Sequence, residues 1–178
     1  MKHSRFAFAA VLFVAGGMFS AVYAHQATTS KKPAAIAPAP THVIAEVDSA
    51  KFVPVPGSVG LPTTIQMSPI AGDPSKPGPF SLMLKIPANQ VIAPHWHPAE
   101  ENVVPLRGTF QIGAGSKFDE AGLKDLNPGG VAHMGGKMRH FARAKGEAIV
   151  LVYGMGPFII NYVNPKDDPR PPAAPAAK

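Results

Sequence analysis

The sequence predicts an all-β domain, and three observations carry that expectation. Between residues 44 and 164 short apolar or alternating runs recur, the clearest being Phe80–Ile86, Val103–Leu106, Thr109–Ile112, Ala148–Tyr153 and Phe158–Val163. Strong turn signals separate them: Gly72-Asp73-Pro74, Pro77-Gly78-Pro79, Gly113 with Gly115, Asn127-Pro128-Gly129-Gly130, and Gly154 with Gly156-Pro157. The chain's 21 prolines and 17 glycines leave few windows for a helix, because proline has no amide proton to donate and glycine is entropically costly to order. Short strands punctuated this regularly fold as a sandwich or a barrel. The runs bound one domain of about 120 residues, enough for a single hydrophobic core.

The flanks have a different character. Residues 1–24 have the build of a secretory leader: Lys2 and Arg5 precede an apolar run of 14 residues, Phe6–Phe19, and Val22 and Ala24 stand at the cleavage positions. The run is shorter than the roughly 20 residues that span a bilayer. The expectation is cleavage after Ala24, no membrane partner afterwards, and a secreted or periplasmic protein. Residues 25–43 follow as a Pro/Ala-rich extended linker, and residues 165–178 as a disordered Pro/Ala-rich tail.

Charge and cysteine content narrow the chemistry. The surplus behind the formal charge of +6 lies in the flanks; residues 44–164 are near neutral, with ten Lys/Arg against nine Asp/Glu. No basic patch with interleaved aromatics is present, which argues against nucleic acid as a partner. With no cysteine, the domain is held by its core rather than by disulfides, and any metal must be bound by nitrogen and oxygen.

The segment from Asn89 to Gly108 carries the most chemistry. His95 and His97 are two apart, so on a strand both project to one side, and Glu101 adds a carboxylate nearby. Imidazole nitrogen and carboxylate oxygen suit a divalent first-row metal. Trp96 alternates to the opposite face, which makes it a packing residue. Glu100, one position before Glu101, is read as a surface carboxylate, and Met134, Met138 and Met155 as apolar filler.

These residues resemble the first motif of the cupin superfamily: a glycine, five residues, His-x-His, three or four residues, Glu, six residues and a glycine. His95, His97, Glu101 and Gly108 stand at those positions, with Asn89 in place of the leading glycine. Asn tolerates positive φ better than most residues. The second cupin motif is a glycine, five residues, Pro-x-Gly, two residues, His, three residues and Asn. Two registers of it compete. By letters, Gly122, Pro128, Gly130 and His133 fit, with Lys137 for the Asn. By turn pattern, Gly129 and His140 fit, with Gly135 for the Pro, Lys137 for the Gly and Ala144 for the Asn. The second is preferred, because Pro128-Gly129-Gly130 then makes one turn, Val131–Met134 a short strand, Gly135-Gly136-Lys137 a second turn, and His140 opens a strand that continues through a hairpin at Lys145-Gly146-Glu147 into a buried strand.

The resemblance implies a double-stranded β-helix, the cupin jelly-roll barrel, in a small exported single-domain form. It implies one divalent metal ion held by His95, His97, Glu101 and His140, with Fe, Mn, Ni, Zn and Cu not distinguished, and two positions of an octahedral site left open. It further implies a small-molecule substrate or ligand and a homodimer paired through the sheets. Such sites serve dioxygenases, isomerases, decarboxylases and lyases. The leading expectation is a dioxygenase- or isomerase-like enzyme on a small oxygen-rich molecule, and the alternative is a non-catalytic barrel that binds a small ligand or senses metal.

Overall fold

The computed structural model describes residues 42–171. The leader at 1–24, the linker as far as residue 41, and residues 172–178 of the tail lie outside the described residues. Eleven strands make up the described part: β1 Val53–Pro54, β2 Gln66–Ala71, β3 Gly78–Ile86, β4 Val91–Trp96, β5 Glu101–Arg107, β6 Phe110–Ala114, β7 Lys124–Leu126, β8 Ala132–Met134, β9 His140–Ala144, β10 Ala148–Gly156 and β11 Asn161–Tyr162. The described residues contain no α-helix, only short 3-10 turns.

Two antiparallel sheets face each other, in the orders β1-β2-β3-β10-β5-β8 and β11-β4-β9-β6-β7. The pairings show how the barrel is wound. β6 pairs with β7, β5 with β8, β4 with β9 and β3 with β10. The chain is thus one long two-stranded ribbon, folded back at residues 115–123 and rolled up so that successive rungs fall in alternate sheets. That is the double-stranded β-helix, and rolling leaves only short strands at the edges.

Alternation along each strand places the core between the sheets. β3 turns Phe80, Leu82, Leu84 and Ile86 inward, and β10 turns Ala148, Val150 and Val152 toward them. β9 is held between β4 and β6, and β10 between β3 and β5. The turn at Lys145-Gly146-Glu147 therefore crosses from one sheet to the other, and is not the hairpin expected from sequence. A two-strand reading of local sequence cannot distinguish a hairpin from a barrel corner, since both need the same turn residues.

The run Phe158–Val163 also departs from expectation. Only Asn161–Tyr162 pairs as a strand, on the edge beside β4, while Phe158 and Ile160 are buried without ladder bonds. Phe158 N–H donates to the Pro74 carbonyl instead, 2.6 Å away. The segment acts as a plug in the barrel. Arg170 fastens it from outside, making a two-pronged ion pair with Asp168 (2.8 and 2.6 Å) and donating to the Ile160 carbonyl at 2.8 Å.

Gly108 turns the corner after β5 with φ +73°, and a Cβ there would lie 2.3 Å from the Glu147 carbonyl oxygen. Both the left-handed backbone and the close approach demand glycine. Gly108→Ala is expected to lower unfolding free energy by about 3 kcal/mol, the sum of αL strain and overpacking. The midpoint of urea unfolding measures it, and an unchanged midpoint would refute the account.

Candidate metal centre

His95 lies near the end of β4, directly opposite His140, which opens β9. His97 follows β4 by one residue, and Glu101 opens β5. Two strand ends from one sheet and one strand start from the other thus meet inside the barrel. All four side chains are buried, with exposures of 3% for His95, 4% for His97, 7% for Glu101 and 3% for His140. The ring centroids of His95 and His140 are 4.2 Å apart, those of His95 and His97 5.0 Å, and those of His97 and His140 5.3 Å. One nitrogen from each ring falls within 4.8 Å of the others.

Backbone carbonyls fix how the rings are presented. Nδ1 of His95 lies 2.7 Å from the Ala93 carbonyl, Nδ1 of His97 3.0 Å from the Ile159 carbonyl, and Nδ1 of His140 3.0 Å from the Met138 carbonyl. A carbonyl can only accept, so each Nδ1 carries the proton and each Nε2 keeps its lone pair. Nε2 of His97 and of His140 are buried without a hydrogen-bond partner. Oε2 of Glu101 approaches them to 3.4 and 3.3 Å. Lone pairs facing a carboxylate in an apolar interior repel one another unless a cation lies between them. This donor set of nitrogen and oxygen atoms fits a divalent metal ion.

The electrostatics agree with that account. Burial, reinforced by the neighbouring rings of His140 and His97, lowers the His95 pKa to about 3, so this imidazole stays neutral and available as a ligand. Burial works to raise Glu101, but the imidazoles of His140 and His97 outweigh it and hold the carboxyl below its ordinary range.

The structure brings His140, and not His133, beside His95 and His97. His133 lies on β8 with its side chain exposed, on the outer face of the barrel, where Nδ1 is 2.9 Å from Asn102 Oδ1. It cannot reach the cluster that His140 joins. Glu100 is exposed and Trp96 faces away from the histidines. The turn before His140 keeps the shape of its motif despite the altered letters: Lys137, at the glycine position, adopts φ +65°, and Asn89, at the first motif's glycine position, adopts φ +59°. The Lys137 amide donates to the His97 carbonyl at 2.7 Å, tying the second motif to the first. Lys137→Gly is expected to raise stability by about 0.5–1 kcal/mol through relief of left-handed strain. A lower melting temperature in that variant would contradict it.

Sequence reasoning missed Phe158. Its ring stacks on His97 with centroids 4.7 Å apart and planes 13° from parallel, and it closes the cavity from the plug segment. The cavity at the cluster measures about 30 Å³, room for about one water-sized occupant. Beyond the three histidines and Glu101 its walls are apolar, among them Leu84, Ile92, Val103, Val150 and Ile160. No sequence signal marks Phe158, because its partner is distant in the chain and its segment is irregular.

No protein-family model matches the chain, and no curated protein matches it in sequence. Solved structures do match in shape. A candidate acetylacetone dioxygenase from Methylibium petroleiphilum aligns over 71% of this chain and 83% of its own, with TM-score 0.52 and 17% identity. The polyketide cyclase RemF from Streptomyces resistomycificus aligns over 71% and 88%, also with TM-score 0.52 and 17% identity. An RmlC-like cupin from Shewanella frigidimarina aligns over 62% and 87%, with TM-score 0.47 and 10% identity. With its ribbon rolled into two facing antiparallel sheets and its shape shared with the dioxygenase candidate and the cyclase, the chain has the double-stranded β-helix, or jelly-roll, fold that the resemblance of its first motif implies.

Proposed function

We propose that this chain is an exported cupin that holds one divalent first-row metal ion through Nε2 of His95, His97 and His140 and the carboxylate of Glu101, and that the loaded protein is a dioxygenase- or isomerase-like enzyme acting on a small oxygen-rich molecule. The observation that carries the reading is the set of buried Nε2 atoms with no partner, facing Glu101. When bound, the ion would supply Lewis acidity toward substrate oxygens. The chain's own residues do the rest. The carbonyls of Ala93, Ile159 and Met138 hold each imidazole in the binding tautomer. Glu101 offsets part of the ion's charge, and the apolar walls exclude water, which strengthens every electrostatic interaction inside. The dioxygenase and cyclase named above share this fold, so both oxidative and non-oxidative chemistry are compatible with it.

One observation favours a second reading, a metal-binding barrel without turnover: the inner cavity is small and offers a substrate no polar side chain besides the four already named. The test that separates them begins with the purified protein, recovered from the periplasm or medium with His25 at its N-terminus. Elemental analysis near one metal per chain, followed by oxygen uptake or isomerisation with small diketones and hydroxy-ketones, supports the enzyme. Metal without turnover supports the second reading. No metal after loading overturns both.

A further inference from the structure

The inner cavity is too small for an organic substrate, and the residues around it show where one could lie. A second chamber of about 360 Å³ adjoins it at the end of the barrel formed by β6, β7 and β8. Ile112 and Met134 line both, and so stand between them. Met134 sits opposite Glu101 in the β5–β8 pairing, so it stands inside the barrel next to the proposed ligand. It is buried, with 4% exposure, whereas Lys124, His133 and Met138 at the other end of the chamber are exposed. The chamber thus runs from solvent to a single unbranched, easily repacked side chain in front of the cluster.

We propose that this chamber is the substrate site and approach route, that Met134 is the residue that sets how large a molecule reaches the metal, and that the molecule is a small, flat, largely apolar anion bearing adjacent oxygens. The proposal rests on the metal reading above. Ala132, Leu126 and Ile112 supply apolar walls for the body of the molecule. Charge selects the anion. Asp125 is occupied on its own side by Gln111 at 2.6 Å and Lys145 at 3.1 Å. His133 is engaged by Asn102. Lys124 has no ion-pair partner among the described residues, so the chamber has a cation at its mouth and leads to a cation site at its base. No residue there offers the hydrogen-bonding array that a sugar would need.

Cobalt(II)-loaded protein tests this by visible absorption, with azide as a small probe and 4-nitrocatechol as a flat anionic one. Met134→Ala is expected to tighten 4-nitrocatechol binding about tenfold and leave azide within about twofold, since the gain comes from space. Ala132→Trp fills the chamber from the β8 wall and is expected to weaken 4-nitrocatechol about tenfold or more, again sparing azide. Lys124→Gln is expected to weaken 4-nitrocatechol more than azide, since only the larger anion reaches from the cluster to the mouth. Equal 4-nitrocatechol binding by the parent and both cavity variants, each with an intact cobalt spectrum, overturns the chamber. Absence of a cobalt spectrum in the parent overturns the metal reading itself, a result distinguishable from the first.

Discussion

His140→Ala is expected to abolish stoichiometric metal binding, and His133→Ala to leave it intact. A four-ligand site of nitrogen and sulfur donors binds zinc with roughly 10–16 kcal/mol, so each ligand is worth roughly 3 kcal/mol, and losing one weakens affinity roughly 100- to 1000-fold. His140 belongs to the cluster by position: it faces His95 across the β4–β9 pairing and is 3% exposed. His133 is one strand away in sequence but on the outside of the other sheet, hydrogen-bonded to Asn102. Its loss removes one exposed hydrogen bond and moves the affinity by less than about twofold. Competition titration against a chelator of known affinity, with elemental analysis of each variant, measures both. Retention of metal by His140→Ala together with loss in His133→Ala would place the site elsewhere. Glu101→Gln keeps the shape and removes the charge, and belongs in the same series with an intermediate loss.

Acid is expected to destabilise the metal-free protein through His95. In the unfolded chain this imidazole titrates near 6.5, whereas in the fold its pKa is lowered to about 3. Between those values the unfolded state binds a proton that the folded state does not, so stability falls as pH falls. The contribution is fully present above pH 6.5 and is lost progressively toward pH 3. Glu101, held below its ordinary range, acts in the same direction, because its contribution is present above its unfolded value and lost below it. At pH 4 the His95 contribution comes to about 3 kcal/mol. Denaturant unfolding of the metal-free protein across pH 7 to 4 should show this loss, and His95→Gln should flatten it. Parallel pH profiles for the two proteins would show that His95 does not titrate as its burial requires.

Much of this was legible in the chain, for reasons that particular residues make plain. Period-two alternation in Phe80–Ile86 and Ala148–Tyr153 marks strands because a half-buried strand must present alternate side chains to the core. The spacing of His95 and His97 marks a common face for the same reason. Lys137 shows the limit of reading letters: it occupies a left-handed turn that the motif assigns to glycine, so the geometry persisted where the residue type did not. The Lys145–Glu147 turn shows another limit, since a corner between sheets and a hairpin within one use the same local chemistry.

The sequence by itself determined an all-β domain, a cysteine-free core and the first three candidate ligands, because these depend on local periodicity and composition. Only the tertiary structure brought His140, and not His133, beside His95 and His97, since that depends on which face of which sheet each strand presents. The tertiary structure alone also placed the Ile159 carbonyl behind His97, Phe158 over its ring, and Met134 between the two chambers. Those contacts join residues far apart in the chain, and they exist only once the ribbon has rolled and closed.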